Sequence, residues 1–472
     1  MLRREASTLL SYVVDRPRIA PNRIAGMIFR TRVARRHRAL ATVEDHGQLV
    51  AALRAVITGT AHPLVVRNTE PATARRHGFV FPGQGGQCPG MGRLFYDAFA
   101  SFRAEVDHCS DLFERQSGRS PLSYLLDDQL PADDSASVVQ PALFSQMAGL
   151  AALWRSVGVT ADAVVGHSQG EVAAAYVSGV MSLDDAVTVV GTRARIADKF
   201  PADDYAMAVI ATDRDTCEGL LARHSGWAEL SVINSPSMVG ISGQHQAVHQ
   251  IVERLTKDGV FARVIPVRYP AHTSMIAALG GQIRKALANS LDASEFAASE
   301  IDCIGATLGS AIRPDMPVHQ YWFWNLRNTV RFDRAIATAA SAHVDTFVEL
   351  AQHPTLRLAI RENLAALGSE RTICVARRTS PSSPPISRTS LCTILITTGM
   401  RCELRHPAGY RCHCVTSRTY RTTTFRCGYR TVQRTAGLRY RRTVPARPKP
   451  STRRKMRTPE HIPDCCVRRG PR

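Results

Sequence analysis

The stretch Gly166-His167-Ser168-Gln169-Gly170 has the residue types and spacing that covalent chemistry at a serine needs. A G-x-S-x-G pentapeptide acts as a nucleophile elbow when a strand leads in and a helix leads out. Both flanks fit, since Ala163-Val164-Val165 is apolar and Val172 to Ser178 has helical spacing. The glycines permit a tight turn that lifts the Ser168 hydroxyl above the sheet edge. The helix N-terminus behind it supplies N–H groups and a positive dipole end for a developing oxyanion. The alternative is a Gly-rich strand-to-helix turn with an incidental serine, and the pentapeptide alone does not decide between them.

A serine nucleophile needs a base. His272, in Tyr269-Pro270-Ala271-His272-Thr273, is the candidate, placed where the chain would return to a main sheet. The alternative is a packing or surface histidine, and the chain has 16 to choose from. His167 adjoins the nucleophile, but neighbours on an elbow point apart. His353, before Pro354, is a further loop histidine. A hydrolase triad would place an Asp or Glu between Ser168 and His272. Acids such as Asp258 lie there without strand-end context, so a Ser–His dyad is the simpler expectation. A second Gly-rich turn, Pro82-Gly83-Gln84-Gly85-Gly86-Gln87, follows the apolar run Phe79-Val80-Phe81. It is neither GxGxxG nor a P-loop, which disfavours nucleotide binding. Its backbone N–H groups could instead complete an oxyanion hole beside the elbow.

The elements that must carry these groups read as α/β. Strand-like runs at Phe79–Phe81, Ala163–Gly166 and Asp345–Leu350 alternate with helix-like runs such as Asp184–Ala197. That pattern predicts a mainly parallel sheet with a hydrolase-like core. Short strands at Met207–Ile210, Leu230–Ile233 and Val239–Ser242 predict a small α+β, ferredoxin-like subdomain inserted at about 205–268. Residues 1–77 are Arg-rich at first and then carry a helical pattern at Gln48–Val56.

The chain has 472 residues, with 44% apolar and 21% charged, ordinary values for a globular protein. Its net charge of +20 is concentrated at one end. Residues 381–472 hold 21 Lys and Arg against 3 Asp and Glu, so the rest is close to neutral. Five cysteines (Cys88, Cys109, Cys217, Cys303, Cys374) are scattered through the body without a CxxC, so no disulfide framework or metal site is expected there. No run of about 18 apolar residues predicts a membrane span. Ser7 to Val14 is short and lacks a cleavage site, so it is not read as a secretory signal. The N-terminal arginines continue into a structured pattern, against a transit peptide. The expected location is the cytoplasm.

The motifs taken together resemble one family. Phe81-Pro82-Gly83-Gln84-Gly85-Gly86-Gln87, Gly90-Met91-Gly92, Gln140-Pro141-Ala142-Leu143-Phe144 and Gly166-His167-Ser168-Gln169-Gly170-Glu171 occur in this order. Asn234-Ser235-Pro236, Tyr321-Trp322, Asn325-Leu326, Val330-Arg331-Phe332 and His353-Pro354 continue it. The pattern is similar to the acyltransferase domain of modular polyketide synthases and to malonyl-CoA:acyl-carrier-protein transacylases. It spans about 78–375, within an expected domain of 78–378. Residues 1–77 resemble the ketosynthase-to-acyltransferase linker, notably at Arg30-Thr31-Arg32 and His37-Arg38-Ala39-Leu40.

The resemblance implies an acyl-serine at Ser168 with His272 as its base, and an oxyanion hole from the backbone N–H groups of Gln84 and Gln169. It implies that Arg193, 25 residues after Ser168, pairs with the free carboxylate of a malonyl-type substrate. A planar guanidinium suits that task, whereas by residue type alone Arg193 would be a solvated helix arginine. Asn325 matches an amide near the catalytic histidine, and Tyr321 to Trp324 are read as core aromatics. Gln169 and Tyr269-x-x-His272 follow the methylmalonyl trend, from which Pro270-Ala271 and Thr273 depart. The implied substrate is malonyl-CoA or methylmalonyl-CoA, with no resident cofactor or metal. The implied partners are a phosphopantetheinylated acyl carrier protein and other synthase domains. Alternatives are a serine thioesterase or hydrolase on the same scaffold, and a non-catalytic remnant of a truncated synthase.

The tail, 379–472, changes character abruptly, with Val, Ile, Leu, Met and Phe at 15 of the 92 residues from 381. That is too few for a core, and disorder is expected. The first reading is a frame-shifted coding end. The second is an Arg-rich segment that binds nucleic acid by charge. The third, a zinc site at Cys412-His413-Cys414 with Cys402 and Cys427, lacks the spacing of zinc modules.

Overall fold

The computed structural model describes residues 2–31, 37–67, 76–130, 135–201, 203–368 and 372–375, and the backbone of three strands within 403–430. The N-terminal region is three helices, Leu2–Val14, Pro21–Thr31 and His46–Thr58, with the short antiparallel pair β1 (Ala39–Ala41) and β2 (Val65–Arg67). It packs around its own apolar cluster of Val13, Ile24, Leu49, Leu53 and Val56. The helical pattern expected near residue 50 is the third helix. The Asp45 side chain caps it by accepting from the Gln48 N–H, and Gly59 closes it at φ 82°.

The body contains two sheets. The larger is built from β3 (His77–Phe81), β4 (Ala163–Gly166), β9 (Asp302–Gly305), β10 (Ser310–Ala311), β12 (Thr346–Glu349) and β13 (Thr372–Val375). Their order is β10-β9-β4-β3-β12-β13, parallel except where β10 turns back on β9. Phe79, Val80 and Phe81 of β3 and Ala163, Val164 and Val165 of β4 are fully buried, as a sheet covered on both faces requires. Strands β9, β10 and β13 were not among the sequence expectations. Each is four residues long or shorter, so period and composition give little signal.

The smaller sheet holds β5 (Tyr205–Ile210), β6 (Ala228–Ser235), β7 (Met238–Gln244) and β8 (Ala262–Ile265). Helices Arg214–Arg223 and His245–Lys257 complete a βαββαβ order. The strand order is β6-β7-β5-β8, with each pair antiparallel. A fifth strand, β11 (Val330–Arg331), joins the edge in parallel with β6, pairing Val330 with Val232 and Arg331 with Ile233. The small sheet therefore recruits chain from beyond 205–268. Residues 266–301 lead from β8 to β9 of the large sheet, and residues 312–329 lead back from β10 to β11.

The helix Ala136–Ser156 is long and apolar enough to cross a membrane by length and composition, but most of it is buried inside the fold. It packs on helices Ala100–Ser117 and Leu183–Ala197 beside the large sheet. Within the tail, 403–405, 411–419 and 422–430 form a three-stranded antiparallel sheet, β14 to β16. These backbone strands are the described part of a tail for which disorder is expected, and Val415, Thr416, Thr419 and Thr422 to Thr424 concentrate β-branched residues there. The remaining tail, and the side chains of the suggested zinc site, lie outside the described residues.

Candidate active site

Strand β4 ends at Gly166, and the helix Gly170–Ser178 starts four residues later. Ser168 sits between them at φ 53°, in the left-handed region that costs an L-residue of order 1 kcal/mol. Its flanking glycines have a steric reason. A Cβ on Gly166 would fall on Glu171 Cα, and one on Gly170 would overlap the carbonyl oxygens of Phe81 and Pro82. The elbow is thus wedged against the turn that follows β3.

Ser168 Oγ lies 2.7 Å from His272 Nε2. His272 is also in the left-handed region, at φ 61°, and is only 3% exposed. Its Nδ1 lies 3.0 Å from the backbone carbonyl of Asn328. A carbonyl can only accept, so Nδ1 carries the proton and Nε2 offers its lone pair to the serine hydroxyl. A backbone carbonyl thus occupies the place an acid would take in a triad. Burial pushes the imidazole down to about 3, helped by Arg193 and His167 and opposed by the Asn328 hydrogen bond. The ring is therefore neutral, and able to accept a proton, at neutral pH.

The other histidines take different places. His167 Nε2 is 2.9 Å from Asn234 Oδ1, and its ring stands edge-on to Phe332, pointing away from the hydroxyl. His353 lies beside the Gly86 turn, with its backbone carbonyl 3.0 Å from where a Gly86 Cβ would stand. Asp258 caps the helix His245–Lys257 in the small subdomain and takes no part in the dyad.

Arg193 comes from the helix Leu183–Ala197 and is 2% exposed, unlike the solvated helix arginine its residue type suggests. Its Nη1 donates to Asn325 Oδ1. Its Nε and Nη2 meet no acceptor in good hydrogen-bond geometry among the described residues, although the Tyr269 hydroxyl is near enough to help hold the Arg193 pKa up. These two nitrogens form one edge of the guanidinium and present parallel N–H groups. A buried cation with one open edge is a receptor for a planar anion. Burial alone pulls the Arg193 pKa down, with Tyr269 and Glu171 opposing. Asn325 fixes the guanidinium to the elbow, since its Nδ2 donates to the Ser168 carbonyl and to Thr307 Oγ1, both at 3.0 Å.

The Gly-rich turn after β3 closes the other side. Tyr269 donates to Gln84 Oε1 at 3.1 Å, and Gln140 Nε2 reaches both Gln84 Oε1 and the Tyr269 hydroxyl at 3.2 Å. Gln169 is buried, and its Nε2 donates to the Gln140 carbonyl at 2.7 Å. Among the described residues, no hydrogen bond uses the backbone N–H of Gln84 or Gln169. All seven residues expected at the site are thus brought together. Asn328 was not expected, because a backbone carbonyl leaves no trace in residue type. Gln140 and Glu171 stand in the sequence only as parts of motifs, and Tyr321, a core aromatic by residue type, donates to Glu171.

The arrangement can support acyl transfer through a serine ester, and comparisons with known proteins give the family. Residues 78–382 match the family model described as acyl transferase domain. The spectinabilin polyketide synthase system protein NorA' of Streptomyces orinoci is 34% identical over 387 residues, covering 81% of this chain and 10% of that protein. The solved acyltransferase domain from module 8 of the salinomycin polyketide synthase is 30% identical, with a TM-score of 0.70. That match covers 80% of this chain and 88% of the other. The acyltransferase domain of SpnD, solved in complex with 2-(pent-4-yn-1-yl)malonyl, is 26% identical with a TM-score of 0.69, covering 81% and 89%. The chain spans 10% or less of the first curated relatives it matches.

Proposed function

This chain belongs to the acyl transferase domain family, and from that premise we propose that it moves a malonyl-type acyl group from CoA to the phosphopantetheine thiol of an acyl carrier protein in polyketide assembly. The observation that carries the reading is a Ser–His pair at 2.7 Å in the same buried site as the open edge of Arg193. In the proposed reaction His272 Nε2 takes the Ser168 proton as Oγ attacks the thioester carbonyl. The N–H groups of Gln84 and Gln169 hold the oxyanion, a contribution of about 3–4 kcal/mol per donor in comparable sites. The imidazolium returns its proton to the leaving CoA sulfur. The carrier thiol then attacks the acyl-serine, His272 accepts the thiol proton, and Ser168 recovers it as the thioester forms.

Arg193 selects for an acyl group bearing a free carboxylate, because a substrate lacking one leaves the guanidinium edge unpaired in a dry site. The malonyl-type ligand named for the SpnD domain supports the same substrate class. We place the acyltransferase at 78–378, with the small subdomain at about 205–268 and a linker-like region at 1–77. Single-turnover loading tests the reading. With labelled malonyl-CoA or methylmalonyl-CoA, label should pass to a phosphopantetheinylated carrier protein faster than it appears as free acid. Label released only as free acid would favour a hydrolase instead.

A further inference from the structure

Glu171 follows the elbow directly and is fully buried, yet the acyl-transfer steps above do not use it. Its carboxylate is well satisfied. Tyr321 donates to Oε1, while the Thr307 backbone N–H and hydroxyl both donate to Oε2 at 3.1 Å. The Thr307 oxygen in turn accepts from Asn325 Nδ2 at 3.0 Å, and Asn325 Oδ1 accepts from Arg193. Every hydrogen in this chain points the same way, from Arg193 through Asn325 and Thr307 to Glu171. A buried cation thus stands at one end and a buried acid at the other.

The polarity of such a chain is set by its ends. Arg193 can only donate, and an ionised Glu171 can only accept. Thr307 has one hydroxyl hydrogen. Because Glu171 takes it, a lone pair is left facing the Asn325 amide. An amide in place of Glu171 could donate to Thr307, turning its hydrogen toward the Asn325 NH₂ and setting donor against donor. Asn325 also holds the Ser168 carbonyl, so a disturbance there reaches both the guanidinium and the elbow. The close fit is enforced by Gly305, where any Cβ would overlap the Tyr321 hydroxyl and Glu171 Oε1.

We propose that Glu171 is a specificity-positioning residue, the buried counter-anion that, through Thr307 and Asn325, keeps the open edge of Arg193 aimed at the substrate carboxylate. The proposal rests on the acyl-transfer reading and deepens it. Glu171 need not touch the substrate.

The test compares Glu171→Gln and Thr307→Val with the wild type. Acylation rates are measured at about pH 8, where Glu171 is mostly ionised, with malonyl-CoA and, on the same preparation, with acetyl-CoA, which lacks the free carboxylate. The ratio of the two cancels any loss of folded protein. Glu171→Gln should lower malonyl kcat/KM at least about tenfold more than acetyl kcat/KM, mainly through KM. Thr307→Val cuts the chain while leaving the Glu171 charge in place, and should shift the ratio in the same direction. The double variant should shift it by less than the product of the two single effects. Equal losses for both substrates would overturn the proposal and leave Glu171 a packing residue. A wild type that did not favour malonyl-CoA would instead contradict the carboxylate-selecting role of Arg193.

Discussion

Replacing Arg193 by alanine tests the substrate reading where it is most exposed. The guanidinium presents two open N–H groups in a site it barely shares with solvent. Hydrogen bonds to a charged group contribute about 1.5–3 kcal/mol each, so two give about 3–6 kcal/mol. At 1.36 kcal/mol per factor of ten, malonyl kcat/KM should fall by about two to four powers of ten. Acetyl kcat/KM should rise, because the variant no longer leaves an unpaired buried cation beside a neutral acyl group. Arg193→Lys should recover only part of the malonyl loss, since a point charge cannot form two parallel hydrogen bonds. Continuous detection of released CoA, with both donors on one preparation, measures the change in preference. Parallel losses for malonyl and acetyl donors would refute the reasoning and reduce Arg193 to a structural residue.

Other predictions follow from the same geometry. The depressed His272 value, about 3, keeps the base neutral, so acylation kcat/KM should show no loss attributable to His272 between pH 8 and pH 5. A His272 inflection near 6.5 in the acylation profile would contradict this. Because that pKa is lowered on folding, its stabilising contribution is present above about 6.5 and lost as pH falls toward 3. Urea midpoints for His272→Gln should therefore vary less with pH over that window than wild-type midpoints. Burial raises Glu171 to about 7, so its contribution has the opposite sign and declines as pH rises from 4.5 through 7. Glu171→Gln should remove that decline in the same urea series. Tyr269→Phe deletes the hydroxyl between Gln84 and Gln140 and should slow acylation by about tenfold, roughly 1–2 kcal/mol, seen as burst rate in rapid-quench experiments. Gly170→Ala should abolish acyl-enzyme formation and lower Tm, because its Cβ would meet main-chain oxygen that cannot move aside.

Much of the site was legible because its chemistry needs particular residue types at particular places. Gly166 and Gly170 mark the elbow, since only glycine fits against Glu171 and the Phe81 carbonyl. In the small subdomain β5, β6 and β7 read as strands because they are long enough to show apolar runs, whereas the four-residue β8 does not. The orienter of His272 was not legible, being the main chain of Asn328 just before the two-residue strand β11. Nor was the burial of Arg193, which depends on helix Leu183–Ala197 facing Asn325 across 132 positions of sequence. Glu171 and Tyr321 looked like a motif letter and a core ring because their link joins elements 150 positions apart. Long-range pairing of polar groups leaves little local periodicity to read.

Intact-protein mass spectrometry tests the central claim most directly. Wild type and Ser168→Ala would each be incubated with malonyl-CoA and, separately, methylmalonyl-CoA. A gain of one acyl group on the wild type alone, located by peptide mapping at Ser168, is the predicted result, and the donor that produces it identifies the extender unit. No gain from folded protein with either donor, or an equal gain on Ser168→Ala, would contradict acyl transfer through this serine.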